Sequence, residues 1–439
     1  MRKKHVVAIL VAVMVIAAML LPACAEEEVT PTPTAPTPTV EKEFLKMGVF
    51  APTAGSWTLV SVPWIEIVRK ACEDVNDAGG MKVGDTVYYW DLDSYNTLYT
   101  GAGCLTQMKK FIAEGGHYGT GYVAIEATAA AEGINAENNV LMSTVIPGKY
   151  LELSPNDLRF TYDLSMPGYR KLGEYAAKVQ GSKRLALVMM DNCWGYGGGE
   201  AFAEGFKACG GEVVGETYVL GTEMEFTSAI TKLETGNPDH YFIIVGDGPG
   251  GSFLKQAREM GVTAKLSVAG LWGPDMRAMS GAPENVAGTS VVVCGAEPTD
   301  PFFRADKVNE IKHYLYDKFE AYANIYSYQL YDVVQAWTLG IVKAQSVDPW
   351  DVVEALPDAI NENPDVFITG MRDAWAEPDR GVYTVCPCWI ATINPYADGV
   401  DESQYEVVPE TEFQNFVGGF TKDSLPPVYL GGPYSVITI

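Results

Sequence analysis

One stretch constrains the fold more than any other: residues 184–215, RLALVMMDNCWGYGGGEAFAEGFKACGGEVVG. It opens with an apolar run at 185–190, whose length and flanks read as a buried parallel strand rather than a short helix. A polar, glycine-dense turn is expected at 191–199. An amphipathic helix follows, with Phe202, Phe206 and Cys209 at helical spacing, closed by Gly210 and Gly211. A new apolar start at 212–214 begins the next strand. The unit is β-α-β, and its turn carries Trp194 and Tyr196. Ligands of open α/β sheets sit beyond the carboxyl ends of the strands, where such turns lie. This turn is therefore the first candidate for a binding site.

The same alternation runs through the chain. Strands are expected at 44–50, 87–92, 123–125, 140–144, 241–245, 266–269 and 290–294. Helices are expected at 60–78, 100–114, 127–136, 170–179, 307–323, 328–345 and 349–356. Strands interleaved with helices define an α/β fold of parallel sheets flanked by helices. The pattern loosens at 154–157 and 297–301, and turns β-rich with prolines after Phe367. The first two read as crossovers between two α/β units, with a third near 375–380. At 439 residues the chain is long enough for two cores of ordinary size.

The first residues form a targeting segment. Arg2, Lys3 and Lys4 precede an uncharged run at 6–21. Sixteen helical residues span about 24 Å, short of a ~30 Å hydrocarbon core, so the run reads as a signal-peptide core. Leu21-Pro22-Ala23-Cys24 resembles a bacterial lipobox, with Cys24 as the lipidated first residue of the mature chain. Residues 24–43, with their PTPTAPTPT core, form an extended linker reaching roughly 60 Å. An anchor and spacer of this kind imply an extracytoplasmic protein of the periplasm or cell surface, held to the membrane by lipid alone. Removing the three basic residues of the leader from 31 leaves 28 against 56 acidic, a charge of −28. Such a surface repels nucleic acid and anionic membrane.

Catalytic and metal-binding motifs are scarce. The mature chain has His117, His240 and His313, in no triad or metal spacing, and they read as ordinary surface histidines. Neither G-x-S-x-G nor H-E-x-x-H occurs. Seven cysteines remain after Cys24, and Cys386-Pro387-Cys388 is the only close set; buried thiols or one disulfide are expected. Residues 246–251, GDGPGG, satisfy G-x-G-x-x-G after a strand. No acid follows the next strand to hold a ribose, so a dinucleotide is excluded. A glycine-rich turn with positive φ, or a helix start lining a cleft, remains. Neither an enzyme nor a cofactor is expected.

Several segments together resemble a known family. They include the acid after the central strand and the aromatic-Gly-x-Gly that follows it. They also include the helix exit Gly210-Gly211-Glu212-Val213-Val214 and Phe226-Thr227-Ser228-Ala229-Ile230 before Lys232-Leu233. Near the start, Pro52-Thr53-Ala54-Gly55 and Asn76-Asp77-Ala78-Gly79-Gly80 add to it. The chain resembles the type I periplasmic solute-binding proteins over roughly 45–390, above all the branched-chain amino acid-binding (leucine/isoleucine/valine-binding) proteins of ABC transporters. The resemblance implies two Rossmann-like lobes joined by a three-crossover hinge. Lobe 1 would take 44–150 and 300–375, and lobe 2 would take 151–299 and 376–439. It implies a monomer that closes on a small-molecule ligand and docks on ABC permease subunits. The alternative is a ligand-sensing ectodomain acting through a partner receptor.

The strand-end turns hold the candidate ligand-binding residues: Ser56 and Trp57; Glu126, Ala127 and Thr128; Thr144; Trp194 and Tyr196; Asp247; Leu271 and Trp272. Aromatic rings give contact area at little entropic cost, while hydroxyls and backbone N–H groups orient a ligand. Amino acid-binding members grip the α-carboxylate with hydroxyls and backbone amides, and here only Thr128 matches. Where members place an acid for the α-ammonium, this chain has Leu271 and Trp272. An expected tyrosine is replaced by Gly246 and Asp247. Trp194 matches the aromatic position. The scaffold matches and the α-amino acid grip does not. The expected ligand is therefore an amino acid-like, amide or aromatic compound.

Overall fold

The computed structural model describes residues 41–54, 58–121, 125–144, 157–160, 165–269, 280–294, 304–321, 323, 325–377, 381–385, 388–397, 400–403 and 405–408. The chain divides at Glu41 into a leading segment and a body, Lys42–Ile439. The signal peptide, Cys24 and nearly all of the linker lie outside the described residues.

The body begins with β1 (Glu41–Ala51), α1 (Thr58–Asp77), the hairpin β2 (Met81–Val83) and β3 (Thr86–Asn96), α2 (Gly101–Ala113), β4 (Tyr118–Gly121), α3 (Ile125–Glu137), β5 (Leu141–Thr144) and β6 (Asp157–Phe160). It continues with α4 (Ser165–Lys178), β7 (Arg184–Met190), α5 (Cys193–Ala208), β8 (Glu212–Val219), α6 (Thr227–Glu234), β9 (His240–Ile244), α7 (Asp247–Glu259), β10 (Lys265–Val268) and β11 (Ser290–Cys294). Then come α8 (Ala305–Phe319), α9 (Ile325–Ala344), α10 (Pro349–Glu362), β12 (Arg372–Glu377), β13 (Gly381–Val385), β14 (Cys388–Ile393) and β15 (Tyr405–Val407).

These strands build two sheets, ordered β12-β13-β6-β5-β4-β1-β3-β2 and β15-β14-β11-β10-β9-β7-β8. The runs β1-β4-β5-β6 and β8-β7-β9-β10-β11 are parallel throughout. The central strands β7 and β9 are buried along nearly their whole length because both faces are covered, as in the Leu185–Met190 run. The chain passes between the sheets three times: through α4, through α8–α10, and between Val385 and Cys388. The fold is the expected two-lobed α/β arrangement. One continuous apolar core takes in Met47, Val49, Trp64 and Trp337 around the first sheet and Leu187, Phe202 and Phe242 around the second.

Several local expectations are corrected. The third strand is β4, YGTG, whose glycines hide it from an apolar-run criterion; of the expected 123–125, Ile125 belongs to α3 and the other two lie outside the described residues. Residues 193–199 are not a turn. Only Asp191 and Asn192 precede α5, whose cap is the Asn192 side chain accepting from Gly195 N at 3.0 Å. Residues 246–251 are not a positive-φ turn: Gly246 has φ −61, and Asp247 starts α7. Pro249 fits there because first-turn N–H groups have no intrahelical partner. Residues 375–377 belong to β12, paired antiparallel with β13 inside the first sheet, so the third crossing comes after Val385.

The glycines of α5 are a packing device. A side chain on Gly199 would strike Met189, and one on Gly198 would strike Ile244 and Tyr169. A side chain on Gly205 would strike the backbone of Arg170 on α4, and one on Gly173 of α4 would strike the backbone of Phe202 on α5. The two helices therefore meet backbone to backbone.

His240 is not a surface histidine. It is fully buried in β9, while His117 and His313 are exposed. Ser182 Oγ lies 3.1 Å from its Nδ1 and Ser267 Oγ 2.8 Å from its Nε2, and Ser267 continues to Ser290 at 2.7 Å. Burial, with Lys265 adding to it, holds the imidazole neutral by lowering its pKa to about 3. Cys72 and Cys209 are free thiols, and burial pushes that of Cys72 well up; Cys104 and Cys388 are buried.

Asp332 of α9 anchors the return into the first sheet. Fully buried, it accepts from Ile368 N at 2.9 Å, Thr369 N at 2.8 Å and Thr369 Oγ1 at 2.6 Å. Burial pushes its carboxyl up to about 7, against the pull of these donors and of Arg304.

Candidate functional site

Strand order locates the site. In the first sheet β1 lies between β3 and β4, and in the second β7 lies between β8 and β9. In each, the chain winds outward in one direction and then in the other. Such a reversal leaves a crevice beyond the carboxyl ends of the two central strands, where open α/β sheets take ligands. The first crevice is flanked by the segments after β1 and β4, the second by those after β7 and β9.

The sequence-derived residues fall at these strand ends. Ser56 and Trp57, after β1, lie outside the described residues. Glu126, Ala127 and Thr128 lie in the first turn of α3, after β4, and Thr144 ends β5; only their backbone is described. β5, β4 and β1 are neighbours, so these backbone positions share one rim. In the second sheet Trp194 opens α5 after β7, and Asp247 opens α7 after β9, again with only its backbone described. Leu271 and Trp272, beyond β10, lie outside the described residues.

Trp194 carries the strongest signal. Only 9% of its surface is exposed, and its indole N–H has no hydrogen-bond partner. A buried donor left unmet costs about 1–3 kcal/mol. It sits at a helix start where N–H groups face outward. A ligand acceptor placed there gains from both.

Tyr196 faces elsewhere. Its hydroxyl donates to Asp191, which pushes its own pKa up to about 12. Its ring meets Tyr218 edge-on at 5.2 Å. Together they border a groove of about 580 Å³ between α5 and the edge strand β8, floored by Leu187, Met189 and Val213.

Tyr99 was not singled out from sequence. It ends the turn after β3 with φ 57, next to Leu98 with φ 54, both in the left-handed region. Asn96 Oδ1 holds this turn by accepting from Leu98 N at 3.0 Å and Thr53 N at 3.1 Å. A side chain on Gly221, in the loop after β8, would come within 3.6 Å of the Tyr99 hydroxyl and 3.3 Å of Met190 Sδ. Tyr99 thus reaches from the rim of one sheet to the end of β7 in the other. No sequence pattern marks it, since nothing local distinguishes a left-handed tyrosine from any other. Among the described residues, no group of three or more His, Cys, Asp or Glu is placed to hold a metal.

Two sheets of this winding, crossed three times and meeting at their carboxyl rims, define a two-lobed ligand-binding protein. The chain belongs to the periplasmic binding protein family, whose model matches residues 45–387. Members are extracytoplasmic solute-binding proteins and not enzymes. No curated protein matches the chain in sequence. Among solved structures it is similar to the leucine-binding protein LivK of Thermotoga maritima, at 18% identity and a TM-score of 0.65, covering 83% of this chain and 99% of that one. The branched-chain amino acid transporter substrate-binding protein LivJ of Streptococcus pneumoniae, in complex with isoleucine, gives 16%, 0.65, 83% and 99%. A solute-binding protein of an ABC transporter from Rhodopseudomonas palustris, in complex with 3,4-dihydroxybenzoic acid, gives 19%, 0.65, 86% and 98%. No described helix is long and apolar enough to cross a membrane.

Proposed function

We propose that this chain is the lipid-anchored substrate-binding protein of an ABC importer, capturing one small solute between its lobes and presenting it to a permease. The observation that carries this is the buried, unmet indole N–H of Trp194 at one of the two strand-order reversals. The residues at the strand ends, from Ser56 and Trp57 to Leu271 and Trp272, form the binding set. Hinge closure over a ligand suits two lobes joined by a few connections. The solute is an amino acid-like, amide or aromatic compound, since the α-amino acid grip is incomplete.

A thermal-shift panel of L-amino acids, carboxamides, polyamines and aromatic acids tests it. A solute at one hundred times its Kd adds about 2.7 kcal/mol of stability, an evident rise in Tm. Trp194→Phe keeps an aromatic ring and removes the N–H with the pyrrole part of the indole. It is expected to weaken the hit about tenfold, beyond any fall in ligand-free stability from the lost core volume. A panel in which nothing shifts the wild type counts against capture. Cys24→Ser is expected to abolish palmitate labelling and release the chain from washed membranes. Retention of label would remove Cys24 as the anchoring residue.

A further inference from the structure

The first lobe holds a second set of unmet polar groups. Trp64 Nε1, Ser143 Oγ and both amide atoms of Gln329 are buried with no hydrogen-bond partner. Ser143 and Gln329 are 0% exposed and Trp64 is 2% exposed. Buried polar groups in native proteins are nearly always paired, so each calls for an occupant or a water.

Their placement argues for an occupant at the cleft. The end of α9 lies at the amino ends of the strands. Gln345 just beyond it donates to Lys82 O and accepts from Gly84 N, and Tyr118 at the start of β4 donates to Val347 O. α9 therefore runs antiparallel to the strands, and its first turns lie at their carboxyl ends. Trp337 meets Tyr118 at 6.5 Å. Gln329 is eight residues nearer the helix start, about 12 Å along the axis. From Tyr118 to Gly121, where β4 ends, is about 10 Å. Gln329 thus stands level with the rim of β4 and β5. Ser143 is the penultimate residue of β5. Leu141 packs with Tyr118 and Trp337 while Met142 faces the opposite cluster, so alternation turns Ser143 toward the α9 side. Trp64 joins this side too, its ring 5.4 Å from Tyr326, one turn before Gln329.

The chemistry of the three groups narrows what they take. The Gln329 amide offers donors and an acceptor side by side, and neither is used. A carboxylate would satisfy Nε2 but set its lone pairs against Oε1. A carboxamide presents C=O and N–H together and closes two parallel hydrogen bonds with a glutamine. We infer that Gln329 is a specificity-determining residue that reads a carboxamide-type head group on the solute. The Trp64 N–H and the Ser143 hydroxyl complete its polar shell. This rests on the solute-capture reading and adds the class of head group.

The test pairs benzamide and isobutyramide with benzoate and L-leucine, on wild type and Gln329→Leu. At least one carboxamide is expected to bind wild type ten or more times more tightly than its carboxylate counterpart, and Q329L is expected to lose that affinity at least tenfold. The ligand-free Tm of Q329L is expected to be unchanged or higher, because a polar group without a partner leaves the core. If wild type prefers benzoate or leucine to both carboxamides, capture stands and the inference falls. It falls equally if Q329L binds the carboxamide as wild type does. A drop in the ligand-free Tm of Q329L overturns it without any ligand, by showing that the amide is satisfied inside the fold.

Discussion

Gly205→Ala is expected to cost about 3 kcal/mol or more, although the same exchange in an ordinary helix gains about 1 kcal/mol. The added methyl would strike the backbone of Arg170 on α4, which cannot rotate away as a side chain tip does. Relief requires moving α4 off α5, and overpacking of this kind commonly costs 1–3 kcal/mol even where neighbours yield. Gly133→Ala in α3 is the internal control. Nothing lies within 4 Å of a side chain there, so a gain of a few tenths to about 1 kcal/mol is expected. Urea unfolding of the two variants reads both. Opposite signs would confirm that α5 is glycine-rich for contact and not for flexibility; a stabilised G205A would refute it.

The acid limb of stability is expected to be dominated by His240. Its folded pKa, about 3, lies below the ordinary 6.5, so the unfolded chain binds a proton that the folded chain refuses. Stability contributed by the neutral ring is present above pH 6.5 and is lost as pH falls toward 3, at about 1.4 kcal/mol per pH unit. At pH 5 the loss reaches about 2 kcal/mol. Asp332 acts with the opposite sign, because its raised carboxyl lets the folded chain bind a proton first as pH falls through 7. His240→Asn leaves Asp332 in place, so the difference between the two proteins isolates the histidine. The variant starts less stable at pH 7 because Ser182 and Ser267 lose a ring partner. Its stability should then fall less steeply from pH 6.5 to 4. Parallel curves would show that the ring takes up its proton in the folded chain as readily as in the unfolded one.

The fold was largely legible from sequence because its strands are apolar runs bounded by turns. Ser290–Cys294 was read to the residue. Failures came where packing uses glycine. β4 lacks apolar residues beyond Tyr118, and α5 opens with glycines that propensity assigns to a turn. His240 was misread because burial of a polar ring depends on Ser182, Ser267 and Ser290, which are distant in the chain. The strand-end positions of the candidate site followed from the βαβ rule alone. Gln329 and Tyr99 did not, since one is defined by what it fails to bond and the other by a backbone angle.

The three crossings have a consequence for biogenesis. The first sheet lacks β13 until residue 385 has emerged, and the second lacks β15 until residue 407. Neither half of the molecule can complete its sheet before those residues are made. Both are completed by segments made some 225 to 345 residues after the strands that begin each sheet, β1 and β7. Such long-range pairing is slow to form. The outermost pairings of both sheets therefore wait on the last strands to be made, β13 in the first and β15 in the second.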